Sequence, residues 1–370
     1  MKEKFLRELA DIQTGPFGSQ LHKEDYVADG TPIVTVEHLG NKMFSEQNLP
    51  RVSNTDKNRL KKYVLKQGDI VFSRVGSVDR CSYVDQKHDG WMFSGRCLRV
   101  RPTSEIDSEY LYYYFCLEET KQFVRNIAVG ATMPSINTKL LGEVVVTFPE
   151  LEQQKRISGI LSAIDSKIEV NQKINDNLEQ QAATYFQELF INNANPVWQI
   201  STISDLGTVV GGSTPSKTKP EYYTNNGIAW ITPKDLSINK SKFISHGEND
   251  ITELGLKNSS ATVMPKGTVL FSSRAPIGYI AIASNEVTTN QGFKSVIPYS
   301  EIGTAFVYFF LKHSLPVIES AASGSTFKEI SGSAMKNIPA IIPDRNTLDQ
   351  FNSFCAPIFA QQKILEEQNH

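Results

Sequence analysis

Residues 149–192 read PELEQQKRISGILSAIDSKIEVNQKINDNLEQQAATYFQELFIN, and this stretch decides the fold. Ile157, Leu161, Ile164, Ile168, Ile174, Leu178, Ala182, Tyr185 and Leu189 recur in steps of mostly three and four, with Asn171 filling the gap. That spacing is an apolar stripe on a helix, close to a coiled-coil seam. No proline follows Pro149, and Gly159 is the one glycine in the stretch. At 1.5 Å per residue, about 40 residues make a rod of roughly 60 Å. A lone rod with a single apolar stripe is not stable, so a partner helix is expected. An ordinary core helix is the competing reading, but such helices seldom exceed about 20 residues. Asn171 in the stripe suits a device that fixes register, or a solvated gap.

Outward from the rod, the chain repeats itself with a period of about 195 residues, far longer than a solenoid unit. GTPIVTVEHL at 30–39 answers GIAWITPKDL at 227–236, and KQGDIVFSR at 66–74 answers PKGTVLFSSR at 265–274. YLYYYF at 110–115 answers AFVYFF at 305–310. VGAT at 129–132 answers SGST at 323–326, and EVVVTFP at 143–149 answers NIPAIIP at 337–343. The matches are collinear, and the last of each set leads into a helical pattern.

Within each half, glycine-rich polar loops come first, at 14–19 and 211–215. Strand signals follow at 32–36, 70–72 and 97–100, with counterparts at 229–231, 269–271 and 294–297. An aromatic helix is predicted over 108–128, matched at 304–322, and then a closing strand at 143–148, matched at 338–342. The expected class is α+β: two mixed β/α lobes separated by two long antiparallel helices, related by a pseudo-twofold internal repeat. The expected divisions are a first lobe at 1–149, a central long-helix spacer at 150–195, a second lobe at 196–343 and a C-terminal helix at 344–370 that pairs with the spacer. Leu348, Phe351, Phe354 or Cys355, Ile358, Ile364 and Leu365 carry the stripe of that last helix, and Pro357 is expected to kink or delay it. By the repeat, residue 370 corresponds to about residue 176, so this helix is expected to be about one-third shorter than its mate.

Composition narrows the class. Apolar residues at 40% and a mean hydropathy of -0.28 describe a soluble globular protein. No apolar run is long enough to span a bilayer. The opening MKEKFLRELADIQTG holds no apolar segment of a secretion signal, so a cytoplasmic location is expected. Cys81, Cys97, Cys116 and Cys355 lack metal or CxxC spacing and read as reduced, mostly packed thiols. A net charge of -2 argues against coating nucleic acid non-specifically but allows local basic patches. One such run is 51–66, RVSNTDKNRLKKYVLK, which reads equally as a solvated face.

Catalytic constellations are not legible. There is no phosphate-binding GxxxxGK[ST] loop, no HExxH and no G-x-S-x-G elbow, and the six histidines are scattered. Asp107 with Glu119 and Lys121 loosely imitates a nuclease pattern, but the last two fall within a predicted helix, as surface charge would. The glycine cluster at 207–212 lacks the companions a methyltransferase needs. The chain reads as a recogniser rather than a catalyst.

The duplicated order resembles the specificity subunit of Type I restriction–modification systems. The resemblance covers essentially the whole length. It is carried by the strand, proline and Glu-Gln-Gln run at 145–157, by the loops at 129–132 and 323–326, and by the strands ending at Arg74 and Arg274. It implies two domains that each read one half of a split sequence in double-stranded DNA. The helices would separate those domains and dock the modification (methyltransferase) subunits, and restriction/motor subunits would join through the complex. It further implies no cofactor on this chain, with S-adenosylmethionine, ATP and Mg2+ used by the partners, and no membrane partner. The short C-terminal helix departs from the family pattern at the site of the second modification subunit.

Base edges are read by Arg, Lys, Asn, Gln, Ser and Thr, while basic side chains and loop N–H groups grip phosphates. The foremost candidates are Arg74 and Arg274, each just after an apolar strand and before a glycine, Gly76 or Gly278. Gln13, Phe17, Ser19, Ser213 and Thr214 lie in or beside the glycine-rich loops. Ser94, Arg96, Asn290 and Gln291 begin a matched strand, and Thr132 and Thr326, with Lys139, complete the set. Each of these also reads as turn chemistry or, for the arginines, as a carboxylate partner. The alternative function is a two-lobed scaffold that binds proteins or glycans without catalytic activity.

Overall fold

The computed structural model describes every residue except Phe17, Ser19, 325–327 and His370. Among the described residues no helix is long and apolar enough to cross a membrane. Two compact units make up the chain, Met1–Ser166 and Lys167–His370.

In the first unit, strands β1 (Ala10–Thr14), β2 (Ile70–Ser73), β3 (Cys81–Tyr83) and β4 (Cys97–Pro102) form an antiparallel sheet in the order β1-β4-β2-β3. Alternation in β2 explains its unbroken apolar reading. Ile70 and Phe72 face one core, with Leu98, Val100 and Phe115; Val71 faces another, with Ile33, Val34, Met92 and Phe93. The sheet is thus buried on both sides. Its helical side is covered by α1 (Ser108–Cys116), whose Phe115 ring meets Phe72 edge-on at 4.7 Å. Its other side is covered by a small sheet of Tyr26–Val27, Arg51–Val52, Thr31–Val34 and Met92–Phe93, the last pair parallel.

The aromatic helix expected over 108–128 is two helices. Asp107 caps α1 by accepting the Tyr110 N–H at 2.9 Å. Leu117 then turns extended, with φ -62° and ψ 135°, and Glu118–Ile127 forms a second helix. The unit closes where Lys2–Phe5 pairs antiparallel with Val145–Phe148, immediately before the long helix. That helix, α2, runs Leu151–Gln187 and continues into a π-helical turn, Glu188–Asn192. Its 37 residues span about 55 Å at 1.5 Å each.

The second unit repeats the plan. Strands β5 (Gly207–Gly211), β6 (Phe243–Ile244), β7 (Val269–Ser273), β8 (Ile277–Ala283) and β9 (Lys294–Pro298) make a sheet in the order β5-β9-β7-β8-β6. Here β6 is an addition absent from the first sheet. Val269 and Phe271 face one core and Leu270 the other. The small sheet recurs as Tyr223–Thr224, Asn249–Ile251, Ile228–Ile231 and Thr288–Thr289, again with a parallel last pair. Helix α3 (Thr304–His313) stands where α1 stands, and Leu315–Ala321 follows it as a separate helix. Gln199–Thr202 pairs with Pro339–Ile342, as the closing strands do in the first unit.

Helix α4 (Arg345–Gln368) starts at once, capped by Asp344, and continues through Pro357, so its start is not delayed. Pro357 sits on the exposed face, where its missing N–H leaves the carbonyl four residues back open to water. Within the second unit α2 and α4 run antiparallel. Asn171 Nδ2 donates to Asn369 Oδ1 at 2.9 Å, Gln362 Nε2 donates to the Asn175 carbonyl at 3.1 Å, and Phe190 meets Phe351 at 5.2 Å. The partners descend along α4 as the positions climb along α2 and its π-helical end.

The predicted seam holds only in part. Leu178, Ala182, Tyr185 and Leu189 pack into the second unit's core, and Ile157 packs on the first unit's. Leu161 and Ile168 are half-buried, while Ile164 is 51% and Ile174 39% exposed. A straight helix drifts about 20° per heptad away from a seven-residue seam. The buried row instead passes through Asn171 and Ala182 to Phe186 and Phe190.

Candidate nucleic-acid interface

The first unit gathers its candidates at one end of the main sheet. Gly15 lies so close to the Ser94 carbonyl that a Cβ there would stand 2.1 Å from its oxygen. This brings the loop after β1, which follows Gln13, against residues 94–96. Arg74, just past β2, donates its N–H to the Arg96 carbonyl at 2.8 Å, and its Nη1 donates to the Gly95 carbonyl at 3.2 Å. The Ile136 N–H returns to the Arg74 carbonyl at 2.9 Å, and Gly76 donates to the Pro134 carbonyl at 2.8 Å. Val129 and Ser135 pair with each other, so residues 129–135 form a pinned loop with Thr132 exposed and Met133 66% exposed. Gln13, Arg74, Ser94, Arg96 and Thr132 therefore share one neighbourhood. Phe17 and Ser19 lie outside the described residues. Lys139 is exposed in the first turn of a short helix, Thr138–Gly142.

The second unit builds the same end with other side chains. A Cβ on Gly212 would stand 2.0 Å from the Asn290 carbonyl oxygen. Ser213 donates its N–H to the Thr289 carbonyl at 2.9 Å and accepts from Trp230 Nε1 at 3.0 Å. Thr214 donates its hydroxyl to Gln291 Oε1. Asn290 folds back on its own turn, its Oδ1 accepting the Gly292 N–H at 2.8 Å. Arg274 bridges to Glu329 through the backbone and pairs with its carboxylate at 3.4 Å, and Lys294 reaches the same carboxylate at 3.8 Å. Burial, and then Arg274, push the Lys294 ammonium below its ordinary range against the pull of Glu329. Thr326 lies outside the described residues.

Backbone partners correct the match between the two arginines. Arg74 donates to the Arg96 carbonyl and Ser273 to the Gly292 carbonyl; Ile136 donates to Arg74 and Ile330 to Ser273. Val75 bridges Ser135, and Arg274 bridges Glu329. Arg74 is therefore equivalent to Ser273, and Val75 to Arg274. The second serine of FSSR moves its arginine one position on, and a one-residue step on an extended chain turns a side chain to the other face.

Other expectations resolve locally. In the basic run, Arg59 pairs with Asp56 and donates to the Gln20 carbonyl, while Lys61, Lys62 and Lys66 are exposed. Asp107 serves as a helix cap. Glu329, Lys294 and Trp230 carry no sequence signal of their own as site residues; the first two become visible only when Glu329, paired with Ser323, is placed against Arg274.

A sequence profile described as the Type I restriction modification DNA specificity domain matches residues 1–180 and 196–367. The chain belongs to this family. The two matched spans are the two copies of the internal repeat. The chain is 43% identical over 193 residues to the Type I restriction enzyme MjaIX specificity subunit of Methanocaldococcus jannaschii, a match covering 50% of this chain and 44% of that protein. It is 23% identical over 378 residues to the HindI specificity subunit of Haemophilus influenzae, covering 80% of this chain and 82% of that one. Among solved structures, the S subunit of a Type-I restriction-modification system from M. genitalium superposes with a TM-score of 0.59 at 16% identity, covering 100% of this chain and 95% of that one. That likeness is one of fold.

Proposed function

We propose that this chain is the DNA-recognition subunit of a Type I restriction–modification complex, each unit reading one half of an asymmetric, bipartite site. One observation carries the reading. The same backbone frame occurs twice, and at its open end equivalent positions hold different polar groups: Arg74 against Ser273, Ser94 against Asn290, Ser135 against Glu329. Identical heads on a twofold would read a palindrome, whereas differing heads read different half-sites.

The long helices set the gap between half-sites and dock modification subunits, through which the restriction subunits join. S-adenosylmethionine, ATP and Mg2+ belong to those partners, and the complex works in the cytoplasm. With a net charge of -2, this chain binds DNA weakly alone and relies on its partners for grip on the phosphates. A gel shift on mixed DNA, with and without modification subunits and across a salt series, tests this. Binding that appears with the subunits and weakens steeply with salt is expected. Salt-independent or absent binding favours a protein- or glycan-binding scaffold.

A further inference from the structure

Glu329 stands in a place where a DNA-gripping surface has no use for a carboxylate. Its backbone is held on both sides, by Arg274 on one and by a reciprocal pair with Ser323 on the other, at 2.9 and 3.1 Å. Its side chain lies between Arg274 at 3.4 Å and Lys294 at 3.8 Å, with the arginine 37% and the lysine 16% exposed. The fold does not require this trio. Strand register makes Lys294 equivalent to Leu98, since β5 pairs Gly211 with Lys294 where β1 pairs Thr14 with Leu98. The first unit thus builds the same frame with Val75, Ser135 and Leu98.

Resting on the DNA-reading function above, we infer that Arg274, Glu329 and Lys294 form a base-reading triad, with Arg274 the contact to a guanine and Glu329 its positioning residue. Two cations against one carboxylate make a poor phosphate clamp, because the carboxylate repels the backbone. The same arrangement makes a good reader. Glu329 takes one donor of a guanidinium that carries five, and the remaining fork matches guanine O6 and N7. Fixing that fork on a doubly paired backbone segment reduces the freedom lost on docking. Lys294, half-buried beside it, holds the carboxylate from the other side.

The test is selection from randomised DNA with the chain assembled with its modification subunits, comparing the natural chain, Glu329→Gln and Arg274→Lys. For the natural chain a guanine is expected within the half-site read by the second unit. Glu329→Gln is expected to lower the preference for that guanine roughly tenfold. It should leave the other half-site unchanged, and it should raise affinity for mixed DNA with a steeper salt dependence, because a charge that repels phosphate is gone. Arg274→Lys is expected to lose the same single position, since an ammonium cannot form the fork. An unchanged motif in either variant overturns the triad while leaving the recognition function standing. Loss of the whole second half-site gives Glu329 a merely structural role and overturns it equally. A natural chain that selects no motif overturns the function and the triad together.

Discussion

Glu179 Oε2 on helix α2 lies 2.5 Å from Lys242 Nζ, in an ion pair walled by the rings of Tyr308, Phe309 and Phe359. Lys242 also donates to Gln362 Oε1 at 2.8 Å, and Glu179 takes Lys312 at 2.6 Å. The first unit hangs its stretch of α2 on an equivalent lysine. Tyr83 donates to the Lys42 carbonyl as Ile282 does to that of Lys242. Lys42 Nζ reaches the Tyr113 hydroxyl at 2.7 Å, Glu109 at 3.0 Å and Asp165 at 3.6 Å. Each unit thus ties a long helix to its own β frame through one lysine.

Removing the anion from a buried pair leaves the cation without a counter-charge. Glu179→Gln is therefore expected to destabilise the second unit by about 3 kcal/mol, and adding Lys242→Met to recover most of it. Urea unfolding checks this; a variant as stable as the parent removes the pair from the account. Burial works to raise the Glu179 carboxyl, but Lys242 and Lys312 outweigh it and hold it below its ordinary range. A depressed carboxyl stabilises fully above its unfolded value near 4.5, and loses that contribution as pH falls through the lower folded value. The difference between parent and Glu179→Gln is expected to shrink on acidification below that point.

Asn171 is fully buried, and its amide is only half satisfied. Nδ2 donates to Asn369 and Gln368, while Oδ1 accepts no hydrogen bond. A polar group in a helix seam fixes register at a cost in stability. Asn171→Leu is expected to raise the unfolding free energy by about 1 kcal/mol. A lowered urea midpoint would mean that the donated bonds outweigh the orphaned oxygen.

Cysteine chemistry is expected to separate by position. The neighbouring Cys81 thiol, outweighing burial, holds the half-buried Cys116 thiol below its ordinary range. Burial pushes Cys97 and Cys355 up to about 12. Alkylation of the folded chain by iodoacetamide should therefore occur first at Cys116, its rate rising and levelling at a lower pH than that of an ordinary cysteine. Equal labelling of all four cysteines would contradict the packing of this corner.

Arg74 closes the open end of the first unit through its own N–H and guanidinium. Arg74→Ala is expected to weaken recognition of the half-site read by that unit by about 1–3 kcal/mol. Selection on randomised DNA would then show a relaxed preference on one side only. A motif unchanged on both sides takes Arg74 out of the interface.

The duplicated frame was legible because its central strands are buried on both faces, which writes IVF and VLF as continuous apolar runs. The long helix was legible from its period. The first strand of each unit was not: Lys2–Phe5 and Gln199–Thr202 lie in two-stranded edge pairs and carry no alternating core pattern. The break at Leu117 has neither proline nor glycine to announce it. At the open ends, loop residues such as Ser213, Asn290 and Gln291 could be named from turn chemistry. The one-position step that separates Arg74 from Arg274 depends on hydrogen-bond register, which a motif match does not record.

The account rests on one frame carrying two different readers. Selection from fully randomised duplex DNA, with the chain assembled with its modification subunits, tests that most directly. The predicted result is an asymmetric motif of two unlike half-sites separated by a gap of fixed length. A palindrome, a single continuous motif or no enrichment would contradict it.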